Sequence, residues 1–206
     1  MSTLYILPTS DSDIDSLSRI ASSGGYYDKV DEEIGSENTA DYIYDTSSEG
    51  AAATGYAKFG MADHGAESGT INWIKVWWYA QYNGDVDSIN YVKPYCNNQL
   101  GSQQNVTSSW AWYSQQYMGD PNDGDAAWDW DKIDALVAGV YIAVTSDVGK
   151  GDNCSVIVAC CVVEVDYTES ALGAFDEING VAASGFDEIN SVSVENIDEL
   201  LGVSSS

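Results

Sequence analysis

Hydrophobic and polar positions along this chain alternate far more often than they recur at helical spacing, so strands are predicted almost throughout. Residues 3–7 read as an entry strand ended by Pro8, and residues 9–25, rich in Ser, Asp and Gly, read as loop. Residues 26–33 are a turn or a strand that opens the domain. Short strands are expected over 41–44 and 56–61, then a long one over 70–82 closed by the turn Asn83-Gly84. Residues 89–92, 106–117, 140–145 and 154–167 complete the set. One helix is predicted over 130–138: Asp129 or Asp131 caps it, Ile133, Leu136 and Val137 share a face, and Gly139 stops it.

Two of these strands are apolar on both faces. Val156, Val158, Cys160 and Val162 alternate with Ile157, Ala159 and Val163, although the odd positions are the apolar ones near the end, beside Glu164 and Asp166. In 70–82, Ile71, Trp73, Trp77 and Tyr79 share one face and Ile74, Val76, Trp78, Ala80 and Tyr82 the other. Such strands need cover on both sides, and a two-layer sandwich supplies only one. A loop, the helix, the tail or a neighbouring subunit is left to supply the second, which makes Val156, Val158 and Val162 a candidate interface strand.

The last 33 residues are three copies of an 11-residue unit, with Phe175, Phe186 and Ile197 in register, each followed by Asp-Glu. Ile178, Ile189 and Leu200 then align, as do Val181, Val192 and Val203. Units this short bury no core alone and must lean on something. These nine residues are therefore the candidate interaction tail. Each unit has the composition for one helical turn stopped at Asn-Gly or its equivalent, with strand hooks as the other reading.

Composition agrees with a β-rich chain of one main domain, residues 1–168, followed by the tail, 169–206. Seven Trp and fourteen Tyr favour strands. The net charge of −26 repels phosphate backbones, so no nucleic-acid partner is expected. The run 4–7 is too short for a signal peptide, and no apolar run reaches membrane-spanning length, so no membrane partner is expected.

Catalytic chemistry has little to stand on, and no enzyme is expected. The single histidine, His64, reads as a solvated loop residue, and neither a nucleophile elbow nor a phosphate loop is present. Asp120, Asn122, Asp123 and Asp125 gather hard oxygen donors on one turn and are the weak candidate for a structural calcium, the one cofactor considered. Their spacing departs from the usual calcium loop, and the same residues are ordinary turn formers. Trp110 and Trp112 lie on one strand face, which suits either packing or a glycan platform. Cys96, Cys154, Cys160 and Cys161 read as buried thiols, with a Cys96 disulfide as the alternative; the adjacent pair points to opposite faces of a strand.

The order of motifs resembles a loose group of β-sandwich virion proteins of tailed phages. It is carried by Gly25-Tyr-Tyr-Asp-Lys-Val-Asp-Glu32, Asp41-Tyr-Ile43, the strand 71–79, Thr107-Ser-Ser-Trp-Ala-Trp-Tyr-Ser114 and the Pro121 turn. Trp128-Asp-Trp-Asp-Lys-Ile-Asp-Ala-Leu-Val-Ala-Gly-Val140, Val162-Val-Glu-Val-Asp-Tyr167 and the Ile-Asn-Gly-Val string at 178–181 extend it. The resemblance implies a non-enzymatic subunit on the exterior of a phage particle, decorating or cementing its capsid or tail. Its partners would be other virion subunits and further copies of itself. The expected fold is a jelly-roll-like β-sandwich with one short helix. The alternative function is a fibre or adhesin subunit that binds a host surface glycan.

Overall fold

The computed structural model describes residues 1–20, 24–48, 50–84, 89–146 and 153–169, and four two-residue strands beyond them. Two antiparallel sheets face each other in a jelly-roll-like sandwich. The first runs β10 (Ala111–Tyr117), β6 (Thr70–Asn83), β12 (Cys154–Thr168), β4 (Ile43–Ser47), β3 (Ser18–Arg19), with β1 (Ser2–Ile6) also on β12. The second runs β2 (Pro8–Asp15), β5 (Ala52–Met61), β11 (Val137–Thr145), β7 (Ile89–Cys96), β8 (Gln99–Leu100), with β9 (Gln104–Asn105) also on β7. Between the sheets lie Ile74, Val76, Trp78, Val158, Cys161, Val163 and Val165 from one side and Phe59, Val92, Val140, Ile142 and Val144 from the other, all fully buried. Burying each such side chain is worth about 1.5–3 kcal/mol.

Most predicted strands are present with shifted ends, and two expectations change. Pro8 does not end the entry region; it opens β2, a polar edge strand on β5 interrupted by two register shifts. A proline, three aspartates and bulges on an edge discourage pairing with another chain, which is why the segment lacks the alternation of an inner strand. The helix is shorter than predicted. α1 spans Trp130–Asp134, capped by the Asp129 carboxylate, which accepts from the Lys132 N–H. Val137 begins β11, so Leu136 and Val137, expected on the helix face, lie outside the helix.

β12 resolves its own two-faced pattern with a bulge. Val158 pairs with Ala80 and Cys160 with Tyr79, which leaves Ala159 as the extra residue. Val156 and Val158 therefore point into the core, and beyond the bulge Cys161, Val163, Val165 and Tyr167 do so instead. A second irregularity sits at Asn72 of β6, so Ile71 joins the core face and parts from Trp73. The outward Ile157, Cys160, Val162 and Asp166 of β12 are nevertheless buried, and a loop of the same chain crosses this side. Its 3₁₀ turn (Tyr27–Lys29) brings the Val30 carbonyl to the Cys161 N–H at 2.9 Å, in the gap of the sheet edge between β1 and β4. The Cys160 thiol donates to the Glu32 carbonyl at 2.9 Å. Val156, Val158 and Val162 are all fully buried inside one chain, which corrects the interface reading: covering this strand requires no second subunit.

The four cysteines are buried and none forms a disulfide, with Cys160 facing the loop and Cys161 the core. In the tail, β13 (Glu177–Ile178) pairs with β14 (Val181–Ala182), and β15 (Glu188–Ile189) with β16 (Val192–Ser193). The first two repeats are strand hooks, and the helical-turn expectation fails there. Phe175, Phe186, Ile197, Leu200 and Val203 lie outside the described residues.

Candidate functional site

The outer face of the first sheet carries Trp73, Trp77, Trp110 and Trp112. Trp77 meets Trp112 edge to face at 6.1 Å, and Tyr79 stacks on Trp110 at 5.2 Å and tilts against Trp112 at 5.1 Å. Trp110 and Trp112 do share a face, as expected, but their neighbourhood is largely occupied. The Trp112 indole N–H donates to Glu37 at 3.0 Å and that of Trp77 to Glu164 at 2.7 Å. Lys75 lies over Trp73 and Trp77 and 3.5 Å from Glu164. The rings pack on each other, and these two polar edges are satisfied within the chain.

The outer face of the second sheet is different. Strand alternation places Tyr56 and Lys58 of β5, Tyr141 of β11, and Tyr91, Lys93 and Tyr95 of β7 on that side. Register then arranges them in rows across the sheet. Asp15, Tyr56, Tyr141 and Lys93 form one row, Asp13, Lys58, Gly139 and Tyr95 the next, and Thr54, Ala143 and Tyr91 the third. Gly139 and Ala143 in the middle strand keep the floor low while the tyrosines stand around it. Gly139 is required there, since an added Cβ would lie 2.0 Å from the Ala57 carbonyl oxygen. The result is a shallow trough, half-buried at its six large side chains.

Contacts within the trough fix the rings, which close over the buried Gly139 and Ala143. Tyr91 and Tyr141 stack at 6.4 Å, and Tyr56 meets Tyr95 edge to face at 5.8 Å. Lys58 Nζ sits 5.0 Å from the Tyr56 ring and 4.9 Å from the Tyr95 ring, and 3.4 Å from Asp13. Lys93 Nζ sits 5.4 Å from Tyr91 and 6.0 Å from Tyr141. The Tyr56 hydroxyl donates to Asp13 at 3.0 Å, which raises its pKa; burial raises those of Tyr91 and Tyr95. All three phenols therefore stay protonated at neutral pH, with the Tyr56 donor engaged by Asp13. Flat apolar rings, hydroxyls, ammonium groups and a carboxylate converge on one open surface. That combination can stack on a ring-shaped solute and hydrogen-bond its edge.

None of these six residues was singled out in the sequence as a site. The signal was there in Tyr56-x-Lys58 and Tyr91-x-Lys93-x-Tyr95: aromatic and cation at alternate positions of a strand, in a chain with only seven Lys and Arg.

The other candidates take structural places. Asp120 is buried; one carboxylate oxygen accepts from the Asn122 N–H at 2.9 Å and the other from the Asn97 amide at 2.7 Å. Asp123 pairs with Lys132 at 3.0 Å, and the Asn122 side chain accepts from Gln99 at 3.1 Å. The turn oxygens of Asp120, Asn122 and Asp123 are thus engaged by protein donors, while Asp125 is exposed in the left-handed region at φ 62°. Among the described residues no group of three or more His, Cys, Asp or Glu is placed to hold a metal ion. His64 is not a free loop residue: its backbone N–H and ring both bond the Asp134 carboxylate, at 2.9 and 2.6 Å, and its ring packs on Trp130. Those bonds lower the Asp134 pKa.

No protein-family model and no curated protein matches the chain. Among solved structures it is similar to the C-terminal family 6 carbohydrate-binding module of LamC, a marine laminarinase from Zobellia galactanivorans. That match has 8% identity and a TM-score of 0.37, and covers 80% of this chain and 100% of the module. The family 22 xylan-binding domain of Paenibacillus barcinonensis Xyn10C matches at 8% identity and a TM-score of 0.36, over 79% and 87%. A family 35 carbohydrate-binding module from Clostridium thermocellum matches at 11% identity and a TM-score of 0.35, over 82% and 100%.

Proposed function

We propose that the chain is a glycan-binding β-sandwich subunit that holds a sugar chain on the open face of its second sheet and performs no catalysis itself. One observation carries this reading. Tyr56, Tyr91, Tyr95 and Tyr141 stand over the buried Gly139 and Ala143 as a half-exposed aromatic surface, with Lys58 and Lys93 between the rings. Pyranose faces stack on such rings, and their hydroxyls meet the Tyr hydroxyls, the ammonium groups and Asp13.

Affinity electrophoresis through gels containing neutral or acidic polysaccharides tests it. Wild-type protein should be retarded by at least one polysaccharide. Tyr141→Ala, at the centre of the middle strand, should weaken retardation roughly tenfold or more, as loss of a central aromatic anchor does. Trp110→Ala, on the opposite sheet, should leave retardation unchanged. A panel in which nothing retards the wild type, or in which Trp110→Ala abolishes binding and Tyr141→Ala does not, would overturn the assignment.

The particle setting enters this reading through the tail. Ile178 pairs with Val181 and Ile189 with Val192 in two hairpins of the same span, eleven residues apart. Regular hooks of this kind suit attachment to a larger structure, so the subunit belongs to a fibre or adhesin whose sandwich meets a surface glycan.

A further inference from the structure

We infer that the glycan carries a carboxylate and that Lys93 is its ionic contact. This rests on the trough being the binding face and adds the chemical class of ligand. The starting point is a pairing pattern. Among the described residues Lys29, Lys58, Lys75 and Lys132 each lie within ion-pair distance of an Asp or Glu, and Lys93 does not. In a chain with 33 acids and 7 bases, a lysine with no carboxylate partner among the described residues runs against the composition. Lys93 is moreover held in place by the Tyr91 and Tyr141 rings, at 5.4 and 6.0 Å. A cation fixed over aromatic faces at a half-buried position keeps its charge and leaves its donors for an arriving anion.

The neighbouring lysine shows the same device already engaged. Lys58 is bracketed by Tyr56 and Tyr95 in the same way and takes Asp13 as its anion. The two sites lie in adjacent rows on either side of Tyr141 and Gly139. A sugar lying on the tyrosine rings with its carboxylate toward Lys93 would reproduce the Lys58–Asp13 arrangement one row away.

The whole-chain charge narrows the class further. At −26 the protein repels a polyanion along its length, so dense sulfation or one charge on every sugar is disfavoured. The ligand that fits is a mostly neutral polysaccharide with scattered uronic acid residues.

Binding of the full-length protein to a panel of polysaccharides tests this directly. Glucuronoxylan, hyaluronan and alginate are each used beside the carboxyl-reduced form of the same polymer, with neutral xylan and mixed-linkage glucan as further members. Wild-type protein should bind a native uronate polymer roughly ten- to hundredfold more tightly than its reduced form, the range of a charge-assisted hydrogen bond. Lys93→Met should bind the native and the reduced polymer alike, so that the difference between the two forms is lost. Lys93→Arg should restore most of the difference. Equal affinity for native and reduced forms, or preference for neutral polymers only, overturns the carboxylate inference while the glycan reading stands. Tightest binding to alginate, the fully charged member, overturns the scattered-charge class. No binding to any member sinks both, and capture of an acidic peptide in place of any glycan sinks both in favour of a protein partner.

Discussion

At the scale of single residues, burial and pairing decide which of many acids and rings have a special part. Acid pairs are common in a chain with 33 of them, and Glu32 stands apart only through its position. It belongs to the loop that covers β12, and one of its carboxylate oxygens is buried without a partner. Burial pushes its pKa up to about 7 from an ordinary 4.5, with Asp31 and Asp41 adding to the rise and Lys29 opposing it. Between those two values the folded chain binds more protons at this site than the unfolded chain. Stability from this group therefore grows as pH falls through about 7, is complete below about 4.5, and is lost as pH rises. Thermal unfolding of wild type and Glu32→Gln should be compared from pH 8 to pH 5. The variant should be the more stable at pH 8, and the gap should close toward pH 5. Two parallel curves would show that the carboxyl is not held in the protonated form. Neither Glu32 nor the trough was legible as a site, for one reason. Tyr91 and Tyr141, or Glu32 and Cys160, come together only through strand register and loop path, and one sequence does not encode pairings across fifty or more residues in any local pattern.

At the scale of elements, the strand list was largely legible because alternation is written into each strand by burial of one face. β5, β6, β7, β11 and β12 all fall on predicted segments. β2 was illegible because a polar, bulged edge strand has no buried face to write a pattern. β12 was legible as a strand and misread as an interface, because the bulge at Ala159 changes which parity faces the core. That bulge makes a sharp prediction. Removing Ala159 leaves Val158 inward, Cys160 outward and Cys161 inward, the same facing as before, in a regular ladder. Removing Val162 reverses every residue after it and drives Glu164 and Asp166 toward the core. The Ala159 deletion should fold with a lowered melting temperature, and the Val162 deletion should not fold. Circular dichroism and thermal melts separate these outcomes. Equal loss of fold in both deletions would show that the local bend at the Val30–Cys161 hydrogen bond, and not parity, is what the bulge supplies.

At the scale of the whole molecule, the sandwich and the repeats divide the work. The sandwich has its core between its own sheets, and its own loop crosses the outer side of β12. The last 37 residues carry seven acids and no base, and their hooks pair within each repeat. A two-strand hairpin of this size is marginal in water by itself, so its worth lies in what it attaches to. Deleting residues 170–206 should accordingly leave the melting temperature of the sandwich within a few degrees of the full chain. Binding of one glycan to one trough should be unchanged in calorimetry, since Tyr56, Tyr91, Tyr95, Tyr141 and Lys93 all remain. Retention on a surface dense in glycan should fall, because a subunit that no longer joins its neighbours loses the gain of linked sites, which can reach 10²–10⁴-fold. On the fibre-subunit proposal, incorporation into particles should fall with it. A truncated protein that melts far below the full chain would place the tail on the sandwich core, and one that keeps full surface retention and incorporation would remove the tail from assembly altogether.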